Sequence, residues 1–187
     1  MKHNHICSWR GGPLLTIPLR KLFNNPIKIT GPYLSAGMTA MDIGCGMGFF
    51  TLPMASLAGE QGKVIAVDVQ PEMIEGLKKN VQKTGNTNII THVCDFHSLQ
   101  VAQWNGTVDF VLLFWMLHEV PDAERLLGEI YSVLAADGKL LFAEPLMHVG
   151  NKQFQESLRL INQIGFMPID APKIPISRTA VFQKKSN

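Results

Sequence analysis

Asp42-Ile43-Gly44-Cys45-Gly46-Met47-Gly48 is the stretch that decides the fold. Before it, Met38 to Ile43 is a short apolar run of strand type, set off by a turn at Gly37, and after it Phe49 to Leu57 reads as a helix. Pro53 fits that helix only in its first turn, where a missing N–H is tolerated. A strand that feeds a glycine turn and then a helix opens a parallel α/β unit. Glycines at alternate positions let the backbone turn sharply and admit a ligand where a Cβ would otherwise stand. The start of the helix adds unsatisfied N–H groups and a partial positive charge, which suit a carboxylate or a phosphate.

Downstream the same alternation continues. Val64 to Val69 is a second buried strand, and Pro71 opens a helix with Met73, Ile74, Leu77 and Val81 on one face. Asn88 to Cys94 and the apolar Val108 to Phe114 are further strands. Asp122 caps a helix that turns Leu126, Leu127, Ile130, Val133 and Leu134 inward. The turn Asp137-Gly138 leads into a strand from Lys139 to Ala143, and Lys152 to Ile164 is helical. Phe166 to Pro172 is extended, and Ser177 to Gln183 forms a last strand of alternating character. Too few residues separate these last two for a crossover helix, so they are expected to pair antiparallel. Upstream, Gly11, Gly12, Pro13, Pro18 and Pro26 break the chain, leaving short helical pieces at Leu19 to Phe23 and Ile27 to Leu34.

Composition narrows the function classes. In 187 residues, 46% are hydrophobic and 17% charged, which suits one globular core. A net charge of +2 is too small to imply a polyanionic partner, and Lys78, Lys79 and Lys83 read as a solvated helix face. No nucleic-acid partner is expected. The longest apolar run, Phe110 to Leu117, falls far short of the roughly 20 residues that span a bilayer. Met1 to Arg10 is polar and does not read as a signal peptide. Cys7, Cys45 and Cys94 are odd in number and lack CxxC spacing, so a disulfide framework is not expected and a reducing cytoplasm is.

The loop alone does not separate a dinucleotide site from others. Its spacing is G-x-G-x-G, whereas the dinucleotide fingerprint is G-x-G-x-x-G. Asp42 ends the first strand, where an acid repels a pyrophosphate but suits a ligand bearing an ammonium and a sulfonium. Asp68 ends the second, where a carboxylate can accept both hydroxyls of a ribose. An acid before the loop, a helix for a carboxylate and a ribose acceptor next door together describe S-adenosylmethionine.

Met41 to Ala55 resembles motif I of the class I S-adenosylmethionine-dependent methyltransferases. Val64 to Met73, Asp109 to Asp122 and Leu134 to Pro145 resemble the motifs that follow, so the likeness is good over about residues 27 to 147 and looser beyond. The resemblance implies an α/β fold with a Rossmann-like doubly wound seven-stranded sheet, mostly parallel with an antiparallel C-terminal strand. The chain reads as one domain over residues 1–187, with 35–187 as the core and 1–34, by its position before the fold, as a cap or lid. The resemblance implies S-adenosylmethionine as the cofactor and a small molecule as the acceptor, in the style of quinone-biosynthesis enzymes. Carried across, Gly44, Gly46 and Gly48 border the methionine end of the cofactor, together with Asp42 and Cys45. Asp68 holds the ribose, with Val69 and Met73 beside it. Asp95 reaches the adenine amino group, with Phe96 next to it, and Phe114 borders the methyl donor. Met47 departs from the family, where a proline or a small residue often stands.

Plainer readings accompany these. Asp95 could simply cap a turn, Cys45 and Cys94 could be small core fillers, and Phe49 and Phe50 core with one sheltering the sulfonium. Trp104 and Trp115 read as hydrophobic cover, with Trp115 a candidate for touching the acceptor. His118, followed by Glu119, is the candidate general base, because its intrinsic pKa suits neutral pH; the alternative is an anchor for the loop before Pro121. His3, His5 and Cys7 would point the same way on an extended chain and could begin a metal site with Glu144 or His148, although a loose tail accounts for them too. No metal is expected. Two alternative functions remain open, a binding module without turnover and a methyltransferase acting on a metalloid such as arsenite.

Overall fold

The computed structural model describes residues 24–184. The expected piece at Leu19 to Phe23, most of the cap, and His3, His5 and Cys7 lie outside them. The first described element is a short helix, α1 (Pro26–Thr30), capped by the Asn25 side chain, which accepts from Lys28 N. The chain then alternates: β1 (Thr39–Ile43), α2 (Thr51–Ala58), β2 (Lys63–Asp68), α3 (Pro71–Thr84), β3 (Ile89–Val93), β4 (Val108–Phe114), α4 (Ala123–Val133), β5 (Leu134–Pro145), α5 (Asn151–Ile164), β6 (Phe166–Asp170) and β7 (Ser177–Lys184). The link from β3 to β4 carries only a 3-10 turn, Ala102–Trp104.

The seven strands lie in the order β3-β2-β1-β4-β5-β7-β6. All neighbours pair parallel except at β7, which runs antiparallel to both β5 and β6. The expected fold class is therefore observed, with β7 as the reversed strand. One expectation fails in detail. β7 does not alternate, because it lies inside the sheet between β5 and β6, and Ala180, Val181 and Phe182 are buried in succession. Covered on both faces, an inner strand has no solvent side to show.

Side chains of opposite parity feed the two faces. Met41, Ile65, Val111, Leu113 and Phe142 point to one face, packed with Leu127 and Ile130 of α4 and with Phe154 and Ile161 of α5. Ala40, Val64, Phe110, Leu112 and Leu141 point to the other, under Ile29 of α1 and Met54, Ala55 and Ala58 of α2. Ala66 packs there beneath Ile74 and Leu77 of α3. Pro71 starts α3 and left-handed Gly85 (φ 72°) stops it, as the sequence implies. The Asp122 side chain accepts from Arg125 N and caps α4.

β5 begins earlier than the Asp137-Gly138 turn suggests. Leu134 pairs with Val108, and regular pairing with β4 resumes at Lys139 opposite Phe110. The intervening residues bulge, with Asp137 left-handed at φ 62°. The turn chemistry was correctly read, but it makes a bulge within a strand rather than a strand's start.

Candidate functional site

Strand order reverses between β1 and β4, and open α/β sheets bind ligands outside the carboxyl ends of the strands at such a point. A cavity of about 440 Å³ opens there, within the range of small-molecule sites, roughly 300–1,000 Å³. Of the candidates named from sequence, Asp42, Gly44, Cys45, Gly46, Asp68, Val69, Met73, Asp95, Phe96, Phe114 and His118 all line it.

Gly48 does not. A Cβ there would stand 2.5 Å from Leu77 Cδ1, so its missing side chain serves the packing of the loop on α3. Its φ of +95° adds a conformational requirement. Gly48→Ala is expected to cost about 2–4 kcal/mol, combining left-handed strain with an overpacked contact. In a domain of this size that lowers Tm by about 5–15 °C, which a thermal melt of the variant checks. Gly44 and Gly46 differ from it. Both are left-handed (φ 75° and 53°), and a Cβ on Gly46 would meet nothing within 4 Å, so its backbone faces open space where a ligand can approach.

Two carboxylates frame this loop. Asp42 is buried and accepts from Thr51 Oγ1 at 2.6 Å, which ties the end of β1 to the first turn of α2. Helix α2 starts at Thr51 rather than Phe49, so a turn separates the glycines from the helix. Asp68 is only 7% exposed, and both of its oxygens are engaged: Oδ2 accepts from Gly46 N (2.8 Å) and Oδ1 from Gln70 N (2.9 Å). Burial pushes its carboxyl pKa above the ordinary value, against the lowering effect of those N–H donors. With about four lone-pair sites on a carboxylate and the backbone N–H groups of Gln70, Gly46 and Val69 acting on it, Asp68 retains acceptor capacity for a ribose hydroxyl. Asp95 caps a turn by accepting from His97 N at 2.8 Å while lining the cavity. The loop it starts is pinned by Glu129 of α4, which accepts from Ser98 Oγ and Leu99 N.

The thiols are quiet. Burial pushes Cys45 well above its ordinary value and raises Cys94 to about 11, so neither is a ready nucleophile at neutral pH.

On the other side of β1, β4 ends at Phe114 and the next residue, Trp115, is left-handed (φ 61°). Its indole Nε1 donates to Ser177 Oγ at 2.9 Å, and its ring lies against Phe114. The reversal delivers a 3-10 turn, Leu117–Glu119, over the end of β5. There Glu144, 1% exposed, receives His118 twice: Oε1 from the His118 backbone N–H (3.0 Å), Oε2 from ring Nδ1 (2.6 Å). A carboxylate only accepts, so Nδ1 carries the proton and the neutral ring leaves Nε2 bare. That bond with Glu144 raises the His118 pKa above its ordinary value, opposed in part by burial. Nε2 lies 3.9 Å from Glu119 Oε1, and the His148 ring packs edge-on 5.7 Å from that of His118.

Glu144 and Thr51 are the partners that sequence reasoning missed in these roles. An acid at the end of the apolar strand Leu140 to Ala143 is a readable signal, since a buried carboxylate requires a partner; Thr51 carries no such mark. Among the described residues no cluster of three or more His, Cys, Asp or Glu could hold a metal ion.

The residues fit S-adenosylmethionine. The loop is open at Gly46, where a Cβ would meet nothing within 4 Å, with Gly44 packed against Met116 beside it; the Asp42 carboxyl lines the same cavity, and Asp68 keeps acceptor capacity one strand away.

Comparison with known proteins gives a consistent picture. A family model described as a methyltransferase domain matches residues 34–175. A demethylmenaquinone methyltransferase of Shouchella clausii is 31% identical over 111 residues, covering 59% of this chain and 46% of that protein. An arsenite methyltransferase of Halobacterium salinarum is 30% identical over 111 residues, covering 59% and 28%. The chain thus spans about half or less of these relatives. In fold it is similar to the crystal structure of a SAM-dependent methyltransferase from Aquifex aeolicus, with a TM-score of 0.84, 23% identity, and coverage of 95% of this chain and 98% of that one.

Proposed function

Since this chain belongs to the methyltransferase domain family, we propose that it binds S-adenosylmethionine in the cavity and methylates a small-molecule acceptor there. The observation that carries this reading is the Asp42–Gly44–Gly46–Asp68 frame, open at Gly46 and joined across the loop by the Asp68–Gly46 hydrogen bond. Bound there, the cofactor supplies an electrophilic methyl group on a sulfonium centre. Gly44 and Gly46 border its methionine end with Asp42 and Cys45; Asp68, Val69 and Met73 take the ribose; Asp95 and Phe96 take the adenine. Phe114, with Phe49 and Phe50 behind it, screens the transfer point from water.

Placement supplies most of the rate, since alignment of reactants reaches effective molarities of about 10⁵–10⁸ M. His118 adds to it by taking, on Nε2, the proton that the acceptor loses on methylation. Glu144 fixes the tautomer that makes this possible. The small-molecule acceptor also accords with the names of the relatives above.

Among the described residues no helix is long and apolar enough to cross a membrane. We place the protein in the cytoplasm, in line with its odd, unspaced cysteines, and assign it no nucleic-acid partner. Residues 1–34 are assigned as the cap; their described end packs Ile29 and Leu34 onto the α2 face. Among the described residues, burial raises the Cys45 and Cys94 thiols away from the thiolate form that captures a metalloid, so these two residues support an organic acceptor.

The test is turnover. With labelled S-adenosylmethionine and a library of phenols, amines, thiols, quinone precursors and arsenite, the protein is expected to release S-adenosylhomocysteine with at least one organic acceptor. Binding without release across the library would make it a binding module.

A further inference from the structure

Gly76 stands inside α3, where glycine is less favourable than alanine. Its φ is outside the left-handed region, so the helix itself does not require a glycine. The reason for it comes from the neighbouring loop. A Cβ at position 76 would stand 2.8 Å from Met47 Cγ and 3.1 Å from Met47 Sδ. One turn further along the same helix face, Asn80 Nδ2 donates to the Met47 carbonyl oxygen at 3.0 Å. α3 therefore holds the residue between Gly46 and Gly48 by both its side chain and its backbone. Among the described residues Met47 alone lines both the cavity and the outer groove along α3, so it forms the wall between them.

Resting on the cofactor reading of the same cavity, we infer that Gly76 and Asn80 are positioning residues: they seat Met47, and the seat holds Gly46 in the shape that receives the cofactor. The first half of the loop is anchored toward β2. Gly44 N and Cys45 N both donate to Val67 O, at 2.9 and 3.0 Å, and Gly46 N donates to Asp68 Oδ2. After Gly46 the chain passes to α3, where Asn80 holds Met47 O and Gly48 packs against Leu77. Gly46, left-handed and open to the cavity, is thus held from both sides. Glycine loses more conformational freedom than any other residue on being ordered. A loop fixed before its ligand arrives spares the binding step that cost. The seat on α3 fixes the half of the loop that β2 does not reach.

Gly76→Ala in the full chain tests this with a defined sign. Without ligand the loop can move off the added methyl group, and alanine suits the helix better than glycine, so Tm is expected to hold or rise. Binding draws the loop back against that methyl group, so S-adenosylhomocysteine is expected to bind about 5- to 100-fold more weakly by calorimetry. A merely structural role would show the opposite pattern, a lower Tm with affinity unchanged. Met47→Ala removes the obstacle, and adding Gly76→Ala to it is expected to change the dissociation constant by less than about twofold. Asn80→Ala, which removes the donor to Met47 O, is expected to weaken binding by about 2- to 10-fold with little change in Tm. Unchanged affinity in Gly76→Ala, or the same loss with and without the Met47 side chain, would overturn the inference. If the wild-type chain does not bind S-adenosylhomocysteine, the cofactor reading falls and takes the seat with it. If the wild type binds and the cycle shows no coupling, only the seat falls.

Discussion

Replacing His118 with alanine is expected to lower kcat by about 10²–10⁴-fold on whichever acceptor turns over, while affinity for S-adenosylhomocysteine stays nearly unchanged. The base acts mainly in the transition state, so kcat and kcat/KM should fall together. A general base works unprotonated, so the wild-type rate should rise with pH through the folded pKa of His118. The Glu144 hydrogen bond lifts that pKa, with Glu119 adding to the lift and burial opposing it, so the limb should lie above the unperturbed value of about 6.5. His148→Gln, at the ring packed edge-on against His118, serves as the control variant. In His118→Ala the limb should vanish. Glu144→Gln should bring it down toward 6.5 with a smaller loss of rate, because the ring remains but its orientation and charge partner are weakened. A raised histidine pKa also means that the dyad's contribution to stability is fully present below about pH 6.5 and is lost as pH rises through the folded value. The mutant should therefore lose more stability in acid than in alkali. If the limb persists in His118→Ala, the residue only anchors its turn.

The second large effect concerns Asp68. Hydrogen bonds to charged groups contribute about 1.5–3 kcal/mol, so losing the ribose acceptor should weaken S-adenosylhomocysteine binding by roughly 10- to 150-fold. Sequence places this side chain at a strand end as a ribose acceptor and assigns it no structural partner. The structure instead has it holding Gly46 N and Gln70 N. Asp68→Ala leaves both donors without their partner, at about 1–3 kcal/mol for each that remains buried, so stability should fall along with affinity. Asp68→Asn keeps one acceptor and should lose less of both. Affinity should also decline in acid at a pH above the usual carboxylate range, because burial raises the Asp68 pKa and the protonated form accepts fewer bonds. Calorimetry with melts on both variants checks this; equal affinity in wild type and Asp68→Ala would move the ribose contact elsewhere.

These corrections show what sequence carries and what it leaves out. The frame was legible because strand, glycine turn and helix are local signals, and Asp42, Asp68 and Phe114 sit at strand ends fixed by apolar runs. Which glycine faces a ligand was not. Gly48 is distinguished from Gly46 only by Leu77, 29 residues away on another helix. The alternation assigned to β7 failed because burial depends on a strand's neighbours, and β7 inserts between two others. Glu144 was seen only as a possible metal ligand, since its bond to His118 joins the end of β5 to a 3-10 turn 26 residues earlier. Asp95 is expected from sequence either to reach the adenine amino group or to cap a turn; it caps the turn, and its side chain also lines the cavity.

The central claim is that the cavity bounded by Asp42, Gly46 and Asp68 is a site for the adenosyl cofactor, and calorimetric titration of S-adenosylhomocysteine into the wild-type chain tests it most directly. Saturable binding is expected, with a rise in Tm that follows ligand concentration by mass action and shrinks in Asp68→Asn. No heat and no thermal shift at millimolar ligand would contradict it.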